Sequence, residues 1–211
     1  MLGHSQILNK NLFNFFKKGL INSPFLCSNY FMKNEIRIYA KNLRQTLNIQ
    51  DLSKKIQKNL FSLEEYKKAL NIMTYYSFGD EARTVEFFND KTKNWFIPKI
   101  EKTDLKICPY DEEKLCKNKY NIFESTLKPL EDISLIDMII IPCLAADKNG
   151  YRIGYGKGFY DRFLSKLKHN PVKITLVFSP LLYDSIFPEK YDISCDIIIT
   201  DKEIYRKIVK K

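Results

Sequence analysis

Residues 138–164 read MIIIPCLAADKNGYRIGYGKGFYDRFL, and this stretch decides the fold and directs the search for a site. Met138 to Ile141 is a short, wholly apolar run, which is typical of a strand buried on both faces of a parallel sheet. Pro142 has no backbone N–H to donate to a sheet, so the strand is predicted to end there. The residues that follow are expected beyond the carboxyl end of the strand, where open α/β sheets bind ligands.

The rest of the chain alternates predicted helices and strands. Apolar residues at three- and four-residue steps from Ile36 to Leu47 predict an amphipathic helix that begins near Lys33, and a second helical stretch reaches Leu60. Further strands are predicted at 71–77, 95–98, 174–178 and 197–200, and helices at 85–91, with Thr84 as the cap, and at 158–167. Such alternation predicts an α/β fold with a mostly parallel sheet.

The chain has 211 residues, of which 45% are hydrophobic and 14% aromatic, and this supply suffices for the core of one domain. Residues 1–31 differ because they contain lysines but no acidic residue, so we interpret them as a poorly ordered amino-terminal extension of a domain at 32–211. A lysine pair interrupts their apolar run, which fits a secretory signal poorly. A cytoplasmic protein is expected, with import into an organelle left open.

A formal net charge of +10 favours polyanionic partners, among them nucleotide phosphates, polyglutamylated cofactors, nucleic acid and anionic lipid. No run approaches the roughly 20 apolar residues of a membrane span. The five cysteines are odd in number and lack the Cys-x-x-Cys spacing, so neither a disulfide framework nor a thiolate zinc site is predicted. Only two histidines occur, which argues against His-based triads and His-rich metal sites.

The glycine loop, residues 154–162, reads GYGKGFYDR and places three glycines at alternate positions before a predicted helix. Alternating glycines let a backbone approach a phosphate, and a helix start adds free amides. Arg152 and Lys157 are candidate phosphate cations, and Asp161 is a candidate Mg²⁺ ligand. The spacing matches neither the P-loop nor the dinucleotide fingerprint, and a surface turn in which Asp161 complements the helix dipole is the alternative interpretation.

Segment 142–164 resembles, position by position, the signature of the 5-formyltetrahydrofolate cyclo-ligase family, also called methenyltetrahydrofolate synthetase. The matching positions are Pro142, Leu144, Asp147, Gly150, Arg152, Gly154, Gly156, Gly158, Tyr160, Asp161 and Leu164. The resemblance extends over about residues 33–201. Cys143, Ala146 and Ser125 depart from the residues usual in the family, and these departures bear on the shape of the folate pocket.

The resemblance implies a nucleotide site, a folate site and a magnesium site. The ATP contacts that it implies are Lys33, Arg37, Arg152, Gly154, Tyr155, Gly156, Lys157, Gly158, Phe159 and Tyr160, with Arg152 and Lys157 assisting catalysis. Glu81, near Thr84, is implied to bind folate, and Tyr76 and Tyr120 are expected to pack against its rings. Asp161 and Asp192 are implied to bind Mg²⁺. Without the resemblance, Lys33 and Arg37 would be interpreted as a solvated helix face, and Glu81 and Asp192 as ordinary loop acids.

The resemblance also implies a single three-layer α/β domain with a mostly parallel central sheet flanked by helices, similar to the NagB/RpiA/CoA-transferase-like fold. The implied activity is the ATP- and Mg²⁺-dependent conversion of 5-formyltetrahydrofolate, possibly polyglutamylated, to 5,10-methenyltetrahydrofolate with release of ADP and phosphate, by a monomer that binds no nucleic acid. A catalytically weak folate- or nucleotide-binding protein is one alternative. A basic nucleic-acid-binding module is another, although lysines and aromatic residues are spread along the chain instead of clustered.

Overall fold

The structure is a computed structural model that describes residues 29–119 and 121–207, with side chains from residue 32 onward. Its strands in chain order are β1 (Asn71–Thr74), β2 (Asn94–Glu101), β3 (Asp104–Pro109), β4 (Leu115–Lys117), β5 (Phe123–Ser125), β6 (Met138–Ile141), β7 (Ala145–Asp147), β8 (Arg152–Ile153), β9 (Val172–Leu176), β10 (Leu182–Tyr183), β11 (Ile197–Ile199) and β12 (Ile204–Arg206). The α-helices are α1 (Asn29–Arg44), α2 (Ile49–Ser62), α3 (Glu64–Lys68) and α4 (Phe159–Leu164). Within these residues no helix combines the length and apolarity needed to cross a membrane.

The central sheet has seven strands in the order β12-β11-β9-β6-β1-β2-β3. Its five inner strands run parallel, and β3 and β12 join the two edges antiparallel to their neighbours. The predicted α/β class with a mostly parallel sheet is therefore confirmed. The carboxyl ends of β1, β6 and β9 lie side by side at one edge, where the candidate site is expected.

Side chains on successive residues of the inner strands enter two different cores, because alternate residues of a strand point to opposite faces. Ile72 and Ile140 belong to the larger core, which they share with residues of α1, α2 and α3. Met73 and Ile139 belong to a second core, which they share with Phe163 of α4. The domain thus has three layers, with α1 to α3 on one face of the sheet and α4 on the other.

Beyond the carboxyl end of β6, the chain forms a second, three-stranded sheet in the order β10-β7-β8. Strands β7 and β8 pair as an antiparallel hairpin in which Ala146 lies opposite Arg152. The connecting turn contains Gly150 at φ +96, and a Cβ added there would lie 2.3 Å from the carbonyl oxygen of Cys195. A defined hairpin thus connects the buried strand to the glycine loop.

Several element boundaries differ from the sequence-based predictions. Helix α1 begins at Asn29 rather than near Lys33, and β1 ends at Thr74 although a strand was predicted through residue 77. The predicted helix at 85–91 is a 3-10 helix, Val85–Asn89. The hydroxyl of Thr84 does not cap it, because Oγ1 donates to the carbonyl of Tyr75 and accepts from the amide of Ser77 at 3.2 Å. Thr84 therefore closes the loop after β1.

Candidate active site

Helix α1 contributes Lys33, whose side chain reaches two carboxylates from the segment after β10. Lys33 is only 7% exposed, and its Nζ lies 2.9 Å from Glu189 Oε2 and 2.6 Å from Asp192 Oδ2. The amide of Glu189 donates to the same Asp192 oxygen at 2.7 Å. Lys33, predicted to contact ATP, and Asp192, predicted to bind Mg²⁺, are therefore ion-pair partners.

One turn further along α1, Arg37 contacts the glycine loop. Its Nε donates to the carbonyl of Gly154 at 3.0 Å. A Cβ at Gly156, where φ is +93, would lie 3.6 Å from the guanidinium carbon of Arg37. The glycine therefore allows the close approach of loop and helix, and the structure brings two of the predicted ATP-binding segments together.

Arg152 links β8 to Asp161, one predicted magnesium ligand, and to the backbone next to Asp192, the other. It is 8% exposed, its Nη2 lies 2.9 Å from Asp161 Oδ1, and its Nη1 donates to the carbonyl of Ile193 at 2.6 Å. The amide of Ile193 in turn donates to Asp161 Oδ1 at 3.3 Å. Because Asp192 directly precedes Ile193, the contacts of the two predicted magnesium carboxylates meet at adjacent residues of the chain.

The donor set fits magnesium only if other ligands complete it. Within 29–119 and 121–207 no group of three or more His, Cys, Asp or Glu side chains is arranged to hold a metal ion. Magnesium in nucleotide sites takes one or two carboxylates and fills its octahedron with water and phosphate oxygens. Asp161 and Asp192 stay predicted magnesium ligands, and an ion that they hold would take its other ligands from a nucleotide and water.

The remaining residues of the glycine loop differ in exposure. Lys157 and Tyr155 are exposed, whereas Gly158 is the N-cap of α4 and Phe159 begins that helix. Helix α4 has 6 residues and ends at Leu164, although a helix was predicted through residue 167. A helix this short adds little macrodipole, so the cations and loop amides must supply most of the attraction for an anion.

Tyr160 carries a buried polar atom that the fold does not satisfy. Its hydroxyl forms no hydrogen bond with any residue that the structure describes, and burial raises its pKa. Glu81 and Arg152 both act electrostatically on this hydroxyl, from the folate and phosphate sides of the predicted site. Such an unpartnered group is expected where a ligand or water completes the hydrogen bonding.

Glu81 lies in the loop after β1, where its carboxylate accepts a backbone hydrogen bond. Its Oε2 accepts from the amide of Phe78 at 2.9 Å, and its charge acts electrostatically on the hydroxyl of Tyr155. Burial raises the pKa of Glu81, and the nearby charge of Arg44 acts in the opposite direction. The predicted folate residue therefore influences a glycine-loop residue electrostatically.

The two tyrosines predicted to pack against folate have different outcomes. Tyr76 stacks among other aromatic rings, with centroids 5.9 Å from Phe88 and 5.2 Å from Phe123. Tyr120 lies outside the described residues, so its role stays a prediction. The structure thus places Tyr76 in an aromatic cluster next to β1 and leaves its contact with folate as a prediction.

Sequence reasoning missed Arg44, the last residue of α1. Its side chain is 1% exposed, and its Nη2 donates to the carbonyls of Cys143 and Leu144, the second at 3.2 Å. Nη1 lies 3.8 Å from Asp80 Oδ1, and neither Nη1 nor Nε hydrogen-bonds with any described residue. A signal was present in the sequence, because Arg44 follows Ala40 by four residues on the apolar face of the helix.

A model of the 5-formyltetrahydrofolate cyclo-ligase family matches residues 31–201, a range that includes all of these site residues. The chain belongs to this family. Among curated cyclo-ligases, that of Mycoplasma pneumoniae is 28% identical over 74% of this chain and 89% of its own length. That of Haemophilus influenzae is 26% identical over 80% of this chain and 95% of its own length.

Solved structures of the cyclo-ligase family share the fold. The NMR structure of the Aquifex aeolicus 5,10-methenyltetrahydrofolate synthetase superimposes with a TM-score of 0.76 at 27% identity, covering 85% of this chain and 95% of the other. The Mycoplasma pneumoniae 5,10-methenyltetrahydrofolate synthetase gives a TM-score of 0.65 at 26% identity, covering 81% and 99%. The chain therefore spans nearly the full length of these cyclo-ligase structures.

Proposed function

We propose that this cyclo-ligase converts 5-formyltetrahydrofolate to 5,10-methenyltetrahydrofolate with hydrolysis of ATP to ADP and phosphate. Beyond the family match, one observation carries the proposal: the ion pairs Lys33–Asp192 and Arg152–Asp161 come together where Asp192 adjoins Ile193, whose backbone bonds to both Arg152 and Asp161. A nucleotide triphosphate with its metal ion needs this combination of charges. The charge of Glu81 acts electrostatically on Tyr155 of the glycine loop and on Tyr160 beside Asp161.

The nucleotide half of the site uses cations from three places on the fold. Lys33 and Arg37 come from α1, Arg152 from β8 and Lys157 from the exposed loop. Phosphoryl transfer requires positioning and neutralisation of phosphate charge more than a covalent nucleophile, so such a set suffices. Magnesium held by the two carboxylates would supply further charge neutralisation at the phosphates.

The folate half of the site depends on Glu81. A carboxylate accepts hydrogen bonds only, and the pterin ring offers the adjacent donors N3–H and the 2-amino group. The charge of Glu81 acts electrostatically on Tyr155 of the glycine loop, so the proposed folate carboxylate and the nucleotide loop influence each other. Tyr155 is 45% exposed, so its side chain is open to solvent on one side.

The proposed reaction has two steps. The formyl oxygen attacks the γ-phosphorus of ATP, the bond between that phosphorus and the β,γ-bridging oxygen breaks, and ADP leaves. The nitrogen at position 10 then attacks the formyl carbon, the carbon–oxygen bond breaks with release of inorganic phosphate, and the nitrogen loses its proton. The cations Lys33, Arg37, Arg152 and Lys157 hold the phosphates in line with the formyl oxygen and stabilise the transferred charge.

The test uses the purified full chain in two assays. A continuous assay follows the absorbance of the product, and a stopped assay measures the ADP and phosphate released. Methenyltetrahydrofolate absorbance is expected to appear from 5-formyltetrahydrofolate only when both ATP and Mg²⁺ are present, with one ADP and one phosphate released per product. The same mixture without ATP is the control. Binding of both ligands without any product contradicts the enzymatic proposal and leaves a folate-binding protein.

A further inference from the structure

Arg44 is a buried cation whose hydrogen-bonding capacity is only partly used. Nη2 donates to two backbone carbonyls after β6, but Nε and both hydrogens of Nη1 find no acceptor among the described residues. Asp80 at 3.8 Å from Nη1 offsets part of the charge, but a buried donor of a charged group that has no hydrogen-bond acceptor is still unfavourable. A buried arginine in this state points to an acceptor that a bound molecule supplies.

The surroundings of Arg44 indicate which bound molecule supplies the acceptor. The guanidinium lies at the carboxyl edge of the central sheet, among the loops that follow β6, β9 and β1. It donates to the carbonyl of Cys143 after β6 and lies 5.5 Å from the ring centroid of Phe178 after β9. Its Nη1 lies 3.8 Å from the carboxylate of Asp80 after β1. Asp80 directly precedes Glu81, and Arg44 acts electrostatically on Glu81 and on Tyr155. The unused donors therefore lie beside Asp80, the chain neighbour of the proposed folate carboxylate.

We propose that Arg44 is a specificity-determining residue that donates to the 4-oxo group of the pterin. The inference rests on the proposed function. Along one edge a pterin presents the 2-amino group and N3–H, which are donors, followed directly by the 4-oxo acceptor. A carboxylate beside a guanidinium presents the complementary order, so Glu81 accepts from the two donors and Arg44 supplies the hydrogen bond to the oxygen.

A purely structural role for Arg44 is the competing explanation, because its bonds to Cys143 and Leu144 hold the loop after β6. Loss of such a contact would weaken the binding of every ligand by a similar factor. Recognition of the 4-oxo group predicts a different result, because a site built to donate to an oxygen rejects an analogue that presents a donor there. The comparison of two ligands separates the two roles.

The experiment titrates the full chain, without ATP, with 5-formyltetrahydrofolate and with its 4-amino-4-deoxy analogue. The wild type is expected to prefer the 4-oxo ligand at least tenfold, and Arg44→Gln to reduce that ratio about tenfold or more. The ligand change also removes N3–H, so only the change in the ratio reports on Arg44. Arg206→Gln, which removes a surface guanidinium paired with Glu65, is the matched control and is expected to keep the wild-type ratio.

A spectroscopic measurement on the wild type covers the case in which Arg44→Gln does not fold. Infrared difference spectra with ligand labelled with carbon-13 at position 4 are expected to show the carbonyl band below its frequency in water, because charge-assisted hydrogen bonds are stronger than those to water. A carbonyl band at or above the aqueous frequency overturns the role of Arg44. An equal loss of affinity for both ligands in Arg44→Gln also overturns it. A wild type that turns over 5-formyltetrahydrofolate under either result retains the proposed function; absent turnover and binding would remove both.

Discussion

Lys33 Nζ and Asp192 Oδ2 lie 2.6 Å apart, although 159 residues separate them in the chain. The pair joins α1 to the segment after β10, and Glu189 shares the same ammonium group at 2.9 Å. Under the proposed function, a nucleotide phosphate replaces these carboxylates at Lys33 while a magnesium ion occupies Asp192. Binding is then an exchange of partners, and its strength depends on how firmly Lys33 is held beforehand.

Glu189→Gln is therefore expected to lower the Michaelis constant for ATP. Glu189 is 47% exposed at its side chain, and ion pairs of this exposure contribute up to about 1 kcal/mol, which limits the change to about fivefold. Initial rates at varied ATP measure it. Glu64→Gln is the control, because Glu64 pairs with Lys67 on an exposed helix surface. A higher Michaelis constant would mean that Glu189 positions Lys33 for the phosphate.

Asp161→Asn is expected to lower kcat about a hundredfold or more without unfolding the protein. The amide keeps the size of the side chain and one acceptor for Arg152 and the amide of Ile193, but it loses the charge that a magnesium ion needs. Turnover and thermal melting are measured together. Asp104→Asn removes a carboxylate paired with Lys166 and is expected to keep wild-type turnover. Equal rates for both variants would remove Asp161 from the metal site.

Folate affinity is expected to rise with pH through the raised pKa of Glu81. Burial raises this pKa above its ordinary value of 4.5, and only the ionised carboxylate accepts from both pterin donors. Calorimetric titrations across this range, without ATP, are expected to show affinity that reaches a plateau above the raised pKa. Glu81→Gln is expected to bind about ten- to a hundredfold more weakly than the plateau value and with no such pH dependence. A slope that persists in Glu81→Gln would assign it to another group.

The raised pKa of Glu81 also affects the stability of the fold, which is expected to fall with rising pH where the folate affinity rises. Between pH 4.5 and the raised pKa, the folded state holds a proton on Glu81 that the unfolded state has lost, so the free energy of unfolding falls as the pH rises through this window. Glu81→Gln removes this contribution. Urea denaturation at several pH values measures it, with the exposed Glu86→Gln as the control.

Gly150→Ala is expected to lower the free energy of unfolding by about 2 to 5 kcal/mol, because positive φ and a steric overlap act together. The added Cβ would lie 2.3 Å from the backbone oxygen of Cys195. A backbone atom cannot move aside as the end of a flexible side chain can. Gly79→Ala is the matched control: φ there is +58, but no atom lies within 4 Å of the Cβ position. It is expected to cost about 1 kcal/mol. Similar losses in urea denaturation for both variants would contradict the overlap.

Removal of residues 1–28 is expected to leave a soluble protein with wild-type turnover. Helix α1 begins at Asn29, the family match begins at residue 31, and Lys33 is the first of the site residues along the chain. Solubility, turnover and the Michaelis constant for ATP of the shortened chain are the measurements. A loss of turnover that the full chain does not show would assign a role in the site to residues 1–28.

The sequence predicted those parts of the fold whose signals are local. Strand β6 was found with its observed bounds because a wholly apolar run ends at a proline. Strand β3 was missed although Leu105 and Ile107 are buried in an alternating pattern, because the alternation is short and is interrupted after Ile107 by the buried Cys108. Both edge strands pair with the strand directly before them, whereas the order of the inner parallel strands depends on distant segments, which a local pattern does not encode.

The features of the site also divide into those that local sequence signals predicted and those that depend on distant contacts. The glycine loop was recognisable from its spacing, but the pairing of Lys33 with Asp192 depends on a contact across 159 residues. Arg44 was missed because a single arginine on a helix usually extends into solvent, whereas here its burial follows from the packing of α1 over the carboxyl edge of the sheet. Residue types were therefore easier to predict than their partners.

The ion pairs of the site also determine how a nucleotide would arrive. The chain carries a formal net charge of +10, yet Lys33 and Arg152 are each paired with carboxylates and project little positive potential into solvent. Long-range attraction speeds association only where charge of one sign is left uncompensated. Lys33 and Arg152 should therefore add little to the long-range attraction of MgATP, which the exposed Lys157 and the net charge of the chain supply instead. The selectivity that depends on Lys33 and Arg152 should arise after encounter, when the ligand exchanges partners with these side chains.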